Sequence, residues 1–172
     1  MKIGRLRFNT YLLMLLAVAA SCQSTNDKAD QEFSTLRLHL EVHPDGTGRN
    51  QPVPIFRAKP VLVNVENEPF LDERDVEQAA VVDWQGAFYF QVKFNPHGTL
   101  LLDGVTASNP GKHIAIRSQF GGEPRWLAAP ITVRRISGGT FTFTPDATLE
   151  ESKRIARGLN NVAAAIKKKT KH

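Results

Sequence analysis

Several residues and patterns are scarce in this chain of 172 residues, and each scarcity excludes a class of protein. A single cysteine allows neither a disulfide within the chain nor a thiolate metal site, so the folded part must be held together by its core. The longest apolar run, residues 11–20, is about half of the ~20 residues that a membrane-spanning helix requires. Neither a Gly-x-Ser-x-Gly nucleophile turn nor a P-loop spacing occurs. A permanent membrane span and these two catalytic designs are therefore not expected.

The chain also lacks a positively charged body, although its pI is about 9.6. The formal charge of +5 comes from 22 basic and 17 acidic residues. Three of the cations are Lys2, Arg5 and Arg7, and four more are lysines of the tail 167–172, which leaves 15 basic against 17 acidic residues between them. Nucleic-acid binders concentrate positive charge on a folded face. We therefore expect no nucleic-acid partner.

The N-terminus has the three parts of a secretory signal peptide in order. After the cations come the apolar run Tyr11–Val18 and the small residues Ala19-Ala20-Ser21, directly before Cys22. This pattern resembles the bacterial lipoprotein signal, in which the cysteine receives diacylglycerol and becomes the mature N-terminus. The thiolate is the natural nucleophile for that alkylation. We expect residues 1–21 to be removed and Cys22 to anchor the protein in membrane lipid.

An ordinary signal-peptidase cut in the alanine-rich stretch stays an alternative, because Ala19 stands where a lipoprotein signal usually has leucine. Gln23 follows the cysteine, whereas lipoproteins kept at the inner membrane of Gram-negative cells typically carry aspartate there. By this resemblance we expect a lipid-anchored protein of the cell envelope, at the outer membrane and facing the periplasm rather than at the inner membrane.

The mature chain divides into three segments. Residues 22–33 are polar and read as a flexible tether. Residues 34–166 are long enough to bury the core of one domain. The basic tail 167–172 fits a solvated helix end, where cations complement the helix dipole, and contact with anionic lipid headgroups stays open as its alternative.

Hydrophobic periodicity predicts both strands and helices in the domain. Alternating apolar residues predict strands at 36–42, 61–65, 88–94, 112–118 and 140–143, with Pro52 and Pro54 outside any strand. Helical signals predict a short helix at 73–80 behind Asp72, an ambiguous one at 98–109, and a long one from a Thr148–Glu151 capping box to Ile166. These elements predict an α+β fold, a mostly antiparallel sheet with helices packed on one face.

An ordered series of short motifs in the second half carries a resemblance to a known family. The motifs are Phe70-Leu71-Asp72 with Asp75-Val76 and Ala79, Thr106 and Asn109 before Gly111–Ile116, Ala128–Ile131, Ile136–Gly139, Phe143–Pro145 and Glu150–Ala156. Over about residues 69–159 this series resembles the head subdomain in the first periplasmic region of SecD, an accessory subunit of the bacterial protein-translocation channel. The resemblance implies a compact α+β module on the outer face of the membrane that touches emerging polypeptides. The proton-driven role of SecD, which needs its transmembrane helices, does not carry over. Residues 120–126 depart from the family's turn at that place.

No polar cluster of the sequence predicts catalysis or metal binding. His39 and His43 share a strand face, but residues four apart on a strand lie ~13 Å from each other, too far to meet one ion, so a polar outer face is expected there. His97, His113 and Asp103 lie in no recognisable catalytic context. We expect no enzyme, no metal and no cofactor.

The loop around residues 120–126 supplies the candidate binding residues. Phe120, Arg125 and Trp126 flank a Gly121-Gly122 break, and loop tryptophans are frequent in binding hot spots. Burial of Trp126 in the core stays the alternative. The sequence favours an envelope lipoprotein whose domain binds a protein partner and is linked to protein export. The alternative function is a small-molecule or glycan-binding lipoprotein with its pocket at this loop.

Overall fold

The structure is a computed structural model that describes residues 32–170. The predicted signal, Cys22 and most of the tether lie outside the described residues, as do Lys171 and His172. In chain order the elements are β1 (Ser34–Leu40), β2 (Asn50–Ile55), β3 (Val61–Glu66), a 3-10 turn (Glu73–Asp75), β4 (Val76–Trp84), β5 (Ala87–Phe94), α1 (Pro96–Ser108), β6 (Lys112–Phe120), β7 (Arg125–Ala128), β8 (Ile131–Thr132), β9 (Thr140–Phe143) and α2 (Leu149–Lys169).

The strands form three antiparallel arrangements. In the first sheet β6 lies between β1 and β7, and the start of β6 also pairs with β8. In the second sheet β5 lies between β4 and β9. Strands β2 and β3 form a separate two-stranded ribbon. Antiparallel sheets combined with two helices confirm the predicted α+β class.

The main core lies between the two sheets and the helices. Leu36, Leu38, Ile114 and Ile116 enter it from alternate positions of β1 and β6, as the strand period of two requires. The second sheet contributes Phe90, Val92, Phe94, Phe141 and Phe143, and the helices contribute Leu102, Ile155 and Leu159. Helix α2 packs along both β1 and β4, so one helix covers the edges of both sheets.

A smaller group, the ribbon cluster, lies under the β2–β3 ribbon. It consists of Val53, Ile55, Val63, Val65 and Ala115, with Trp126 and Ala129 packed against it. Ala115 lies between Ile114 and Ile116 on β6, and so it projects from the opposite face of the first sheet. The ribbon therefore covers the face of this sheet that the main core leaves open.

The predicted helix at 73–80 is wrong, because the chain there is mostly strand. Asp72 does cap a turn, and its carboxylate accepts a hydrogen bond from the Arg74 N–H at 2.8 Å, but that turn spans only Glu73–Asp75. From Val76 onward the chain is extended and pairs with β5. Valines and aromatic residues fit a paired strand, and this long-range pairing outweighs the local helix signal.

The prediction that Pro52 and Pro54 lie outside any strand is also wrong, since β2 runs through both. Just before β2, the Arg49 carbonyl accepts a hydrogen bond from the Asn67 N–H. Because backbone groups alternate in direction along an antiparallel strand, those of the odd-numbered residues in β2 point toward β3. The prolines therefore direct their nitrogens to the outer edge of the ribbon. A residue without an N–H is tolerated at that edge.

Both long helices begin at capped ends. At α1 the side chain of Asn95 accepts a hydrogen bond from the Gly98 N–H at 2.8 Å, and this helix resolves the ambiguous segment at 98–109. At α2 the predicted capping box is confirmed: Thr148 and Glu151 bond each other's backbone N–H groups at 3.2 and 2.8 Å. Helix α2 continues three residues beyond the expected end at 166. Among residues 32–170, no helix combines the length and the apolar character of a membrane span.

Candidate functional site

An open groove of about 670 Å³ lies between the end of β4 and the first turns of α2. Its lining residues are Val81, Asp83, Gly86, Phe88, Leu149, Lys153, Ala156, Arg157, Asn160 and Asn161. Ligand sites typically have volumes of roughly 300–1,000 Å³, so this groove is large enough to hold a ligand. We call it the edge groove, because one of its walls is the outer edge of a β-sheet.

The backbone N–H and C=O groups along the outer edge of β4 face the edge groove. At Ala79 the strand edge is paired by a side chain of α2: the Ala79 N–H donates to Asn160 Oδ1 at 2.8 Å, and Asn160 Nδ2 donates to the Ala79 carbonyl at 2.9 Å. Backbone groups alternate in direction along an antiparallel strand, so those of Val81 and Asp83 point the same way as those of Ala79. No described residue hydrogen bonds to the Val81 or Asp83 backbone on this side.

The walls of the edge groove combine apolar surface with charge. Val81, Phe88 and Leu149 supply apolar surface, and 40% of Leu149 is exposed. On the helix wall Lys153 and Arg157 are both about half exposed, with Glu150 as the ion-pair partner of Lys153 at 2.9 Å. Arg157 bonds the Glu32 carboxylate at 3.3 Å. Exposed pairs of this kind contribute little stability and can rearrange when a ligand enters.

An aromatic pair, an exposed tryptophan and a half-buried tyrosine, lies next to the groove on the outer face of the second sheet. Trp84 ends β4 and is 64% exposed, and its ring lies 6.2 Å from that of Tyr89 on β5. The turn between them, Gln85-Gly86, has positive φ at both residues, which is the backbone of a two-residue hairpin loop. This tight turn holds the pair at the end of the sheet.

The structure brings two of the predicted binding residues together and directs the third elsewhere. The Arg125 guanidinium lies 5.0 Å above the Phe120 ring and bonds Glu151 at 3.2 Å. This bond, together with the backbone N–H of Thr148, lowers the pKa of Glu151 to about 2. Arg125 therefore ties β7 to the capped end of α2.

Trp126 projects from the other face of β7. Its ring lies 5.1 Å from that of His39 and 5.9 Å from the Arg117 guanidinium, and it packs half-buried against the ribbon cluster. Burial holds the pKa of His39 below its usual value. The prediction that His39 lies on a polar outer face is wrong, because the ribbon covers that face and leaves His39 only 4% exposed.

The remaining candidate polar residues are separated from one another. His113 Nδ1 lies 2.7 Å from Glu41, His97 Nδ1 lies 2.7 Å from Asp75, and Asp103 is paired with Arg135. Within residues 32–170 no three His, Cys, Asp or Glu side chains are placed to hold one metal ion. Cys22, the predicted lipidation site, lies outside the described residues.

Sequence reasoning missed the edge groove and Asn160. A helix at 73–80, as the sequence predicts, would have no strand edge, whereas the structure has strand β4 from Val76. One signal was available: Asn160 and Asn161 interrupt the apolar stripe of α2. A half-buried amide on a helix face needs hydrogen-bond partners, and here the partner is the edge of β4.

Comparisons with known proteins find similarity to SecD. No family model matches the chain. A stretch of 68 residues, 40% of the chain, is 34% identical to the protein translocase subunit SecD of Calditerrivibrio nitroreducens. That match covers 12% of the length of the relative, so the chain corresponds to a small part of it.

Solved structures give the same similarity at the level of the fold. One similar structure is that of SecDF, described as a membrane component that enhances protein export. The alignment covers 81% of this chain and 67% of the SecDF chain, with a TM-score of 0.55 and 21% sequence identity. The domain is SecD-like. SecDF in a super-membrane-facing form matches 81% of this chain and 20% of its own, with a TM-score of 0.56 and 21% identity. The predicted resemblance to the SecD head is confirmed.

Proposed function

We propose that this chain is an envelope lipoprotein whose SecD-like domain binds polypeptides during protein export and acts by contact, without catalysis. The similarity to SecD supports a role in export and a place at the membrane on the periplasmic side. The observation that carries the proposal is the edge groove, where apolar side chains lie beside a strand edge that no other residue within 32–170 pairs. A protein that handles many different polypeptides needs such a surface, since apolar contact and backbone pairing do not depend on one sequence.

The proposed anchor is lipid on Cys22, with the domain at the outer membrane and facing the periplasm. It is supported by the signal pattern before Cys22 and by Gln23 after it. An anchor at this position would hold the SecD-like domain on the periplasmic side of the outer membrane, where it could meet exported chains that cross the periplasm. The protein partner is then the polypeptide in transit.

Site-specific photo-crosslinking in cells tests the proposal. A photoreactive amino acid replaces Leu149 in the edge groove, and a secretory reporter stalled during export serves as the target. We expect reporter adducts from position 149 because Leu149 lines the groove and is accessible. The matched control is the same substitution at Leu100 on α1, which is 73% exposed and does not line the groove.

Two results would contradict the proposal. Equal yields of adducts from positions 100 and 149 would show that the reporter contacts the domain unspecifically. The absence of adducts from both positions would show that the groove does not contact the exported polypeptide. Cys22→Ala in the same cells tests the anchor, since the variant should move to the soluble fraction. Retention on membranes after a high-salt wash would exclude lipid as the anchor.

A further inference from the structure

We infer that the edge groove binds an extended polypeptide segment by strand addition to β4, so that the partner's backbone is recognised before its side chains. The inference rests on the proposed function and names its binding mode. Its basis is the direction of the backbone groups in β4. Those of Ala80, Val82 and Trp84 pair with β5, and those of Val81 and Asp83 face the groove.

The part of the β4 edge that no described residue pairs has a specific complement. The N–H and C=O groups of Val81 and Asp83 form the repeat that a neighbouring strand would bond, and an extended chain presents the same repeat. Two residues before Val81, at Ala79, the backbone N–H and C=O on this edge are both hydrogen bonded by the side-chain amide of Asn160, which supplies one acceptor and one donor. The Asn160 amide therefore imitates a strand and stops an added one from continuing past Ala79.

The stop at Asn160 and the hairpin turn at Gln85-Gly86 limit the added strand to the length of residues 81–84. About four residues of the partner fit there, at ~3.4 Å per residue. Alternate side chains of the added strand would point to opposite faces. One set would lie beside Val82 and the exposed Trp84, and the other would lie over Phe88 and Leu149.

The charges of the groove walls further restrict which polypeptide segments can bind. The helix wall presents Lys153 and Arg157, whereas the strand wall presents only Asp83. An acidic side chain on the added strand is complemented by the two cations, and a basic one is not. The occupant is therefore an extended segment of apolar and acidic residues. A second copy of this chain, pairing through its own β4, is the competing occupant.

Binding of defined peptides to the full chain in lipid nanodiscs tests the mode. The probe is a labelled octapeptide of alternating threonine and valine with one central glutamate. Its first twin is N-methylated at the four central residues, and its second twin carries lysine in place of glutamate. We expect a loss of about tenfold for the methylated twin, the size expected when two backbone hydrogen bonds are removed. The lysine twin should bind more weakly than the probe.

Variants of β4 provide the matched test on the protein. Val81→Pro removes the N–H that faces the groove, and it leaves the pairing with β5 intact because that N–H points away from β5. Val81→Ile keeps both the N–H and an apolar side chain and serves as the control. We expect a loss of about threefold for Val81→Pro, because one backbone hydrogen bond is lost, and a smaller change for Val81→Ile. A thermal melt checks that both variants fold.

Amide hydrogen exchange reports on the mode directly. The Val81 and Asp83 amides should become protected when the probe binds, whereas the Ala79 amide, already bonded to Asn160, should not change. If both peptides bind equally in the groove and these amides stay unprotected, strand addition is overturned and the proposed function stands. Absence of any peptide binding would contradict both. A concentration-dependent dimer that protects the same amides without peptide would replace the polypeptide with a second copy.

Discussion

The two faces of the first sheet differ in what covers them. On one face the main core collects eighteen buried apolar residues from both sheets and both helices, whereas the ribbon cluster on the other face collects five. The ribbon cluster also borders on polar groups: His39 bonds the Glu66 carbonyl at 2.8 Å, and Arg117 lies over Trp126. Burial of apolar area is the dominant source of stability, so the main core must hold the fold while the ribbon adds a cover.

The largest expected effect comes from breaking the main core. Leu159 on α2 is fully buried there, and Leu159→Ala should lower the free energy of unfolding by about 2–5 kcal/mol through the lost contacts and the cavity left behind. Urea denaturation measures it. The control is Leu100→Ala on α1, where the exposed side chain should contribute little. An equal loss in both variants would show that the main core is misplaced.

Ile55→Ala tests how much the ribbon cluster contributes to stability, because Ile55 is fully buried there. If the ribbon can detach by itself, the loss is limited to its docking energy and stays below that of Leu159→Ala. The m-value should then fall, because the variant's native state already exposes the surface under the ribbon. A loss equal to that of Leu159→Ala with an unchanged m-value would contradict an independent cover.

An intermediate effect is expected where α2 crosses β1. A Cβ on Gly158 would lie 2.7 Å from the Ser34 backbone nitrogen and 2.9 Å from the Phe33 carbonyl carbon. Gly158→Ala should therefore destabilise by about 1–3 kcal/mol, although alanine is the better helix former by about 1 kcal/mol. Gly104→Ala on α1, where a Cβ meets open space, is the control and should stabilise slightly. A stabilised Gly158→Ala in thermal melts would contradict the close approach of α2 to β1.

The smallest expected effect concerns protonation under the ribbon. Burial lowers the pKa of His39, so the unfolded chain takes up this proton at higher pH than the folded chain does. The stability from neutral His39 is complete above the ordinary histidine pKa of about 6.5 and is lost as pH falls from there toward the lowered folded pKa. Arg117 and Arg37 both disfavour the charged ring. The loss should be smaller than that in either core variant.

Hydrogen exchange of the β3 amides at about pH 7.5 and about pH 5.5 measures this effect, since Glu66 in β3 accepts the His39 bond. In His39→Phe the ring contact with Trp126 can persist without a titrating group, so the difference between the two pH values should shrink. A pH response of equal size in His39→Phe would assign it to another group.

Local sequence signals predicted part of the fold and little of the candidate site. The capping box at Thr148, the apolar stripe of α2 and the aromatic alternation of β5 each lie within a few consecutive residues, and all three are confirmed. The ordered motifs likewise predicted the resemblance to the SecD head, which the comparisons confirm. That the loop with Arg125 and Trp126 forms a binding surface stays a prediction.

Local sequence patterns were sufficient to predict the α+β class, the capped terminal helix and the SecD-like motifs, because each depends on neighbours along the chain. Long-range packing was needed to show that residues 76–84 are a strand, that His39 is buried and that Asn160 caps a sheet edge. All three depend on partners distant in sequence: β5 pairs with β4, the ribbon covers β1, and α2 reaches Ala79. The edge groove exists because α2 satisfies only the first part of the β4 edge, and that arrangement is set by packing between elements.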